Sequence, residues 1–370
     1  MTSSRPAPIA FFYPSMRGGG AERVLVNLVE GLVAKGIPVD VVLAAAEGPL
    51  LSELSPAARV VVLGSRRVLP CVLPLARYLK RERPRVLLSS MSHANVVAIW
   101  ARALSGVSTP VIVTVHNTLS VTSRKAAVAH GWIWPHLIRA FYPRANAIVA
   151  VSRDAADDLA RTARIPRERI EVIYNPVITP SLRQQAGRAP DHPWFAPGQP
   201  PVVLGTGRLT RQKDFPNLIR AFAELRRRRS ARLIILGEGD ERPALTALVS
   251  ELGLDSDVAL PGFRDNAAAY MAHSGVFVLS SAWEGLPTVL IEALAAGARV
   301  VSTDCPSGPR EILQDGSLGA LVPVGDPVAL ARAISDTLDR PNGKVPPEAL
   351  AAFTREAALE HYLRLIEITQ

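Results

Sequence analysis

The chain has 370 residues, 48% hydrophobic and 20% charged, too many for one core and well suited to two domains of roughly 150–200 residues each. No apolar run approaches the roughly 18 residues of a membrane span, and two cysteines in separate halves, Cys71 and Cys305, exclude a disulfide framework. The net charge of +9 is uneven: residues 1–185 hold 23 Lys+Arg against 11 Asp+Glu, residues 186–370 hold 19 against 22, a split of +12 and −3. A basic half invites nucleic acid, an anionic membrane surface or a phosphorylated ligand. No helix-turn-helix, zinc-finger or ribonucleoprotein motif is present, so nucleic acid is not expected as a partner.

The first apolar stretch, Ile9–Tyr13, is cut short by Pro14 and by Arg17-Gly18-Gly19-Gly20. It reads as a first strand rather than a signal peptide, and a reducing cytoplasm is expected. Further strands are predicted at Val39–Ala44, Val60–Leu63, Val86–Ser89, Val111–Val115, Ala147–Val151 and Ile170–Ile173. Between them amphipathic spacing predicts helices at Ala21–Lys35, Leu73–Glu82, Ala94–Leu104 and Arg153–Ala163. Residues 186–200 are rich in Pro and Gly, lack periodicity and read as a linker. Strands resume at Val202–Gly205, Leu233–Leu236, Val258–Leu260, Val276–Leu279, Arg299–Ser302 and Ala320–Val322. Alternating strands and helices predict an α/β fold with two doubly wound, Rossmann-like domains, 1–185 and 201–346, followed by a final segment 347–370.

Open parallel sheets bind ligands beyond the carboxyl ends of their strands, where helix N-termini favour anions. Glu284 lies in such a loop after Val276–Leu279, and Glu292 is expected about two turns into the helix that follows. Two carboxylates there would repel a phosphate but accept hydrogen bonds from hydroxyls, which implies a sugar-bearing phosphate ligand. Gly205-Thr206-Gly207-Arg208 ends the first strand of the second half, and Lys213 follows five residues after Arg208, near enough for both cations to grip one pyrophosphate. Gly18-Gly19-Gly20 opens the first helix and lets backbone approach a ligand, though the G-x-G-x-x-G spacing of a dinucleotide site is absent. His116 ends the strand Val111–Val115, and Gly237-Glu238-Gly239 marks a tight turn. Arg226–Arg229 reads as an exposed helix end, Asp154, Asp157 and Asp158 as a helix N-terminal turn, and His273 and Cys305 as structural residues. No Asp-x-Asp loop follows a strand, so no metal requirement is expected. Residues 124–144 mix Trp132, Trp134, Phe141 and Tyr142 with Arg124, Lys125, Arg139 and Arg144. With Arg66, Arg67, Arg77, Lys80, Arg81, Arg83 and Arg85 they would form a basic, aromatic face suited to lipid headgroups.

The stretch around Glu284 and Glu292, with Glu284-Gly285-Leu286-Pro287 and Glu292-Ala293-Leu294 between apolar strands, resembles the retaining nucleotide-sugar glycosyltransferases of family 4. The resemblance runs from the glycine loop to Arg310-Glu311-Ile312. It implies the GT-B fold: two facing Rossmann-like domains, a cleft between them, and a last helix crossing back to the first. It also implies that Glu284 holds hydroxyls of the donor hexose and Glu292 the ribose, with Gly285, Leu286, Pro287 and Thr288 facing donor sugar and diphosphate. Gly19 and Gly20 would close over the diphosphate, and Arg208 and Lys213 would neutralise it as it leaves. Phe263 and Arg264 would neighbour the base, and His116 would lie against the donor sugar. The implied donor is a UDP-linked hexose or N-acetylhexosamine, and the acceptor a lipid-linked or other glycan of the bacterial surface. The enzyme would need no cofactor and would sit in the cytoplasm or on the inner face of the plasma membrane. A same-fold UDP-sugar epimerase or phosphorylase, and a non-catalytic sugar-nucleotide binder, are the alternatives.

Overall fold

The computed structural model describes residues 6–121, 133–341 and 345–370. The chain forms two compact units, one of residues up to Val177 together with Phe353–Gln370, the other Ile178–Ala352. Of the aromatic-basic stretch, Arg124, Lys125 and Trp132 lie outside the described residues.

The first unit is built on seven strands: β1 (Ile9–Tyr13), β2 (Val39–Leu43), β3 (Arg59–Val62), β4 (Val86–Ser90), β5 (Val111–Val115), β6 (Ala147–Ala150) and β7 (Ile170–Val172). They pair in parallel in the order β3-β2-β1-β4-β5-β6-β7. Every residue of β1 is buried, and alternate residues serve opposite faces. Ala10 and Phe12 join a core with the helices Val72–Glu82, Ser92–Ser105 and Arg153–Ala163. Ile9, Phe11 and Tyr13 join another with Gly20–Ala34 and the last helix, Arg355–Thr369. Helices on both faces explain why the central strands are uninterrupted apolar runs. The edge strand β3 instead alternates, with Val60 and Val62 exposed. The last helix docks on Gly20–Ala34 at Gly31, where a Cβ would overlap Leu359.

The second unit has β8 (Val202–Thr206), β9 (Arg232–Leu236), β10 (Val258–Gly262), β11 (Val276–Leu279), β12 (Val300–Thr303) and β13 (Ala320–Val322), all parallel, in the order β10-β9-β8-β11-β12-β13. Residues 186–200, read as a linker, pack on this unit. Asp191 accepts hydrogen bonds from Tyr270 at 2.6 Å and Asn266 at 3.3 Å, and the Phe195 ring meets Tyr270 edge-on at 5.4 Å. A tract with Trp194 and Phe195 has apolar surface to cover, so it folds down where a polar Gly/Pro tract would not. Arg226–Arg229 forms the expected helix end, with Arg227 and Arg228 exposed, while Arg226 donates to Asp257 at 2.9 Å and Arg229 to Asp339 at 2.9 Å. Asp158 is buried within the helix Arg153–Ala163 and accepts the Ser120 amide at 3.0 Å, so it ties that helix to the segment after β5 rather than decorating a first turn; Ser152 is the cap, bonded to the Ala155 amide at 3.1 Å.

Candidate functional site

In each sheet the strand order reverses once, at β1/β4 and at β8/β11. The loops leaving these strands diverge there and open a crevice at the carboxyl edge. Of the residues singled out from sequence, the glycine loop follows β1, Arg208 and Lys213 follow β8 and Glu284–Pro287 follow β11, whereas His116 follows β5 and Phe263 and Arg264 follow β10. Those after β8 and β11 belong to the second unit, and His116 and the glycine loop belong to the first.

In the second unit the loop after β8 carries Arg208, Gln212 and Lys213, and the loop after β11 carries Ser280 to Pro287. Lys213 Nζ lies 2.7 Å from Glu284 Oε1, with side-chain exposures of only 16% and 8%. Ser281 Oγ donates to the same oxygen at 2.6 Å, and Gln212 Nε2 donates to the other at 3.2 Å and to the Trp283 carbonyl at 3.0 Å. Two further bonds clamp the loops, the Ala282 amide donating to Gln212 O at 2.8 Å and the Ser280 hydroxyl to Lys213 O at 2.7 Å. A third strand exit supports them: the Glu284 amide donates to Pro306 O at 3.0 Å and Ser307 Oγ to Gly285 O at 2.6 Å. Burial and the neighbouring Glu284 push the Cys305 thiol up to about 12, so it is an inert packing residue.

Glycines let these loops meet. A Cβ on Gly207 would stand 3.0 Å from Lys213 Cε, in the path of that side chain, and one on Gly237 would overlap the Gly207 carbonyl. The Gly237-Glu238-Gly239 turn is thus a backbone-to-backbone contact beneath the Arg208–Lys213 loop.

Arg208 and Lys213 are not disposed as an equivalent pair. Lys213 is committed to Glu284, whereas Arg208 is exposed, with no side-chain hydrogen bond or ion pair among the described residues. Glu292 is half-buried and is the fifth residue of the helix Thr288–Ala295, so it lies little more than one turn in rather than two. That helix has no side-chain cap, and its first-turn N–H groups face the Gly285–Pro287 loop. Phe263 is 65% exposed, and Arg264 bonds its carbonyl at 3.0 Å while lying 3.8 Å from Asp191. A carboxylate held by a lysine, a serine and an amide, beside an uncapped helix and a free guanidinium, can exchange its lysine for ligand hydroxyls while the lysine turns to an anion.

In the first unit His116 is half-buried at the end of β5, its Nε2 3.3 Å from Ser90 Oγ at the end of β4. Ser90 also offsets part of the rise that burial imposes on the Tyr13 phenol at the end of β1. Desolvation pulls the His116 pKa down to about 4, which keeps the imidazole neutral near pH 7. Met91, next to Ser90, holds φ +75°, a left-handed backbone that costs a non-glycine residue about 1–3 kcal/mol. Gly19 precedes the helix Gly20–Ala34 and is packed against its first turn, where a Cβ would lie 2.5 Å from the buried Glu22 carboxylate.

Sequence reasoning missed Gln212, Ser281, Ser90 and Met91. Only Ser281 carried a signal, since Ser281-x-x-Glu284 has the spacing of a capping box; here it is a hydrogen bond inside a strand-exit loop.

Residues 18–180 match the profile described as Glycosyltransferase Family 4, and residues 200–340 match Glycosyl transferases group 1. The N-acetylgalactosamine-N,N'-diacetylbacillosaminyl-diphospho-undecaprenol 4-alpha-N-acetylgalactosaminyltransferase of Campylobacter jejuni is 30% identical over 344 residues, 90% of each chain. The chain belongs to glycosyltransferase family 4. The lipopolysaccharide core biosynthesis glycosyltransferase LpsD of Rhizobium meliloti is 28% identical to this glycosyltransferase over 367 residues, covering 94% of this chain and 95% of its own. Among solved structures, Anabaena HepE in complex with UDP and glucose superposes with a TM-score of 0.78 at 22% identity, over 98% of this chain and all of its own. That likeness shows the fold, which is GT-B.

Proposed function

We propose that this glycosyltransferase moves a hexosyl or N-acetylhexosaminyl group from a UDP-sugar to a lipid-linked acceptor in bacterial surface-polysaccharide synthesis. It does so with retention of anomeric configuration and without a metal. The observation that carries the reading is the Lys213–Glu284 pair at the β8/β11 switch point, with the exposed Arg208 on the same loop. The Campylobacter relative's name gives a diphospho-undecaprenol acceptor and the Rhizobium relative's a lipopolysaccharide core, which supports the acceptor class. The HepE complex supports a UDP donor.

On this reading a bound diphosphate draws Lys213 off Glu284 and meets Arg208. Glu284 then accepts hydrogen bonds from sugar hydroxyls and Glu292 from the ribose, while Phe263 and Arg264 flank the base. The anomeric carbon–oxygen bond to the diphosphate breaks as the acceptor oxygen bonds the same face. The acceptor proton passes to the departing diphosphate oxygen. Cations already in place stabilise the charge that develops there. His116 contributes a neutral imidazole to a sugar hydroxyl, and Gly20, with open space around it, offers unobstructed backbone beside Gly19.

Purified protein incubated with radiolabelled nucleotide-sugars and bacterial membrane extract should move label into the lipid fraction, with and without EDTA. Turnover of UDP-sugar that ignores the extract would replace transfer by epimerase or hydrolase chemistry. Activity abolished by EDTA and restored by Mg²⁺ or Mn²⁺ would overturn the metal-free mechanism.

A further inference from the structure

We propose that Glu22 is a binding residue for the acceptor, taking a hydrogen bond from one of its sugar hydroxyls. Four carboxylates are buried among the described residues: Glu22, Asp40, Asp158 and Glu284. Three of them have donors. Asp40 is held by Arg59 at 2.9 Å and by the Tyr78 hydroxyl at 2.7 Å, Asp158 by the Ser120 amide, and Glu284 by Lys213, Ser281 and Gln212. Glu22 is 8% exposed and has no hydrogen bond or ion pair to its carboxylate among the described residues. The cations on either side of it in the chain are already taken, Arg17 by Glu47 at 2.6 Å and Arg23 by Glu53 at 2.9 Å. A buried carboxylate without a donor costs stability, and a ligand hydroxyl would remove that cost.

Glu22 is the third residue of the helix Gly20–Ala34, directly after the loop that leaves β1. Its side chain folds back over that loop, since a Cβ on Gly19 would lie 2.5 Å from Glu22 Oε2. Gly19 has φ −121°, a conformation open to any residue, so its backbone does not call for glycine. The room left by the missing side chain is taken by the carboxylate. Gly20 beside it has nothing within 4 Å of where a Cβ would stand, so the loop is open to a ligand there. Tyr13 ends β1 close to the same carboxylate, whose charge adds to the rise that burial imposes on its phenol. Glu22 thus stands at the β1/β4 switch point, where the first sheet opens its crevice.

A carboxylate repels phosphate and accepts from hydroxyls, so neither a diphosphate nor free phosphate suits it. The proposed transfer reaction, on which this inference rests, already gives the donor's hydroxyls to Glu284, Glu292 and His116. It leaves the acceptor sugar without a partner. A hydroxyl other than the attacking one satisfies Glu22, so the carboxylate orients the acceptor without taking the proton that passes to the diphosphate.

The test is transfer of radiolabelled sugar at graded amounts of bacterial membrane extract, with UDP binding by calorimetry and thermal unfolding of the same proteins. A hydrogen bond to a charged group is worth about 10- to 100-fold in binding, so Glu22→Gln should raise the half-saturating amount of extract by about that factor. The donor KM and the affinity for UDP should hold. The Tm should stay level or rise, because Gln removes a buried charge that no donor in the protein satisfies. Glu22→Asp keeps the charge but withdraws it by one methylene, and its extract dependence should fall between the two. An extract dependence unaltered in both variants, or a lowered Tm as the only change in Glu22→Gln, overturns the assignment while transfer by wild type keeps the transferase reading standing. A raised donor KM or weakened UDP binding would give Glu22 to the donor and overturn it equally. Wild type that moves no label into the extract overturns the transferase reading, and this inference with it.

Discussion

The Lys213–Glu284 pair serves two ends that one set of variants separates. Lys213→Met removes the cation and leaves a carboxylate side chain only 8% exposed, with Ser281 and Gln212 as its remaining side-chain donors in the set around it. Removing one partner of a buried ion pair costs about 3–5 kcal/mol. With two donors retained we take the lower end, about 3 kcal/mol. For a unit of this size about 1 kcal/mol moves Tm by about 2–4 °C, so the expected drop is about 6–12 °C. Glu284→Gln alone should also destabilise, by stranding the ammonium. Together the two changes leave a neutral pair of similar volume, so the double variant should recover most of the loss. Turnover should not recover, because the diphosphate still lacks its cation and the sugar its carboxylate. The assays are thermal unfolding by calorimetry and donor turnover on the same four proteins. Additive stability losses, within about 0.5 kcal/mol, would show that the pair is not coupled in the folded protein. A double variant active at the wild-type rate would remove both residues from the chemistry.

Two further outcomes follow from the same geometry. Arg208→Ala should leave stability within about 0.5 kcal/mol, because the side chain is exposed, yet cut kcat by about 30- to 1,000-fold if it meets the leaving diphosphate; near-normal kcat would remove it from the clamp. His116 has a folded pKa of about 4 against an ordinary 6.5, so the unfolded chain binds the extra proton first, and stability should fall as pH drops from about 6.5 towards 4. His116→Gln should flatten that part of the curve measured by denaturant unfolding, and an unchanged slope would refute the assignment.

The sequence by itself determined the two-sheet α/β architecture. Strands buried on both faces must be continuous apolar runs, so Ile9–Tyr13, Val111–Val115 and Val276–Leu279 were legible to the residue. It also placed Arg208 and Lys213 in the loop after β8 and Glu284 in the loop after β11, because glycines and charged residues directly after such runs mark strand exits. Partnership was not legible. Arg208 and Lys213 are alike in sequence and five residues apart, yet one points to solvent and the other is held by Glu284, from a loop 71 residues further on. Gln212 was invisible for the same reason, since its role is a hydrogen bond across the β8/β11 junction that exists only once both strands are side by side. Composition likewise showed a basic first half but not which of its apolar residues stay exposed. Trp134 and Leu73 are both hydrophobic residues on amphipathic helices; which of them faces the core depends on what packs against each helix, and that is settled only by tertiary structure.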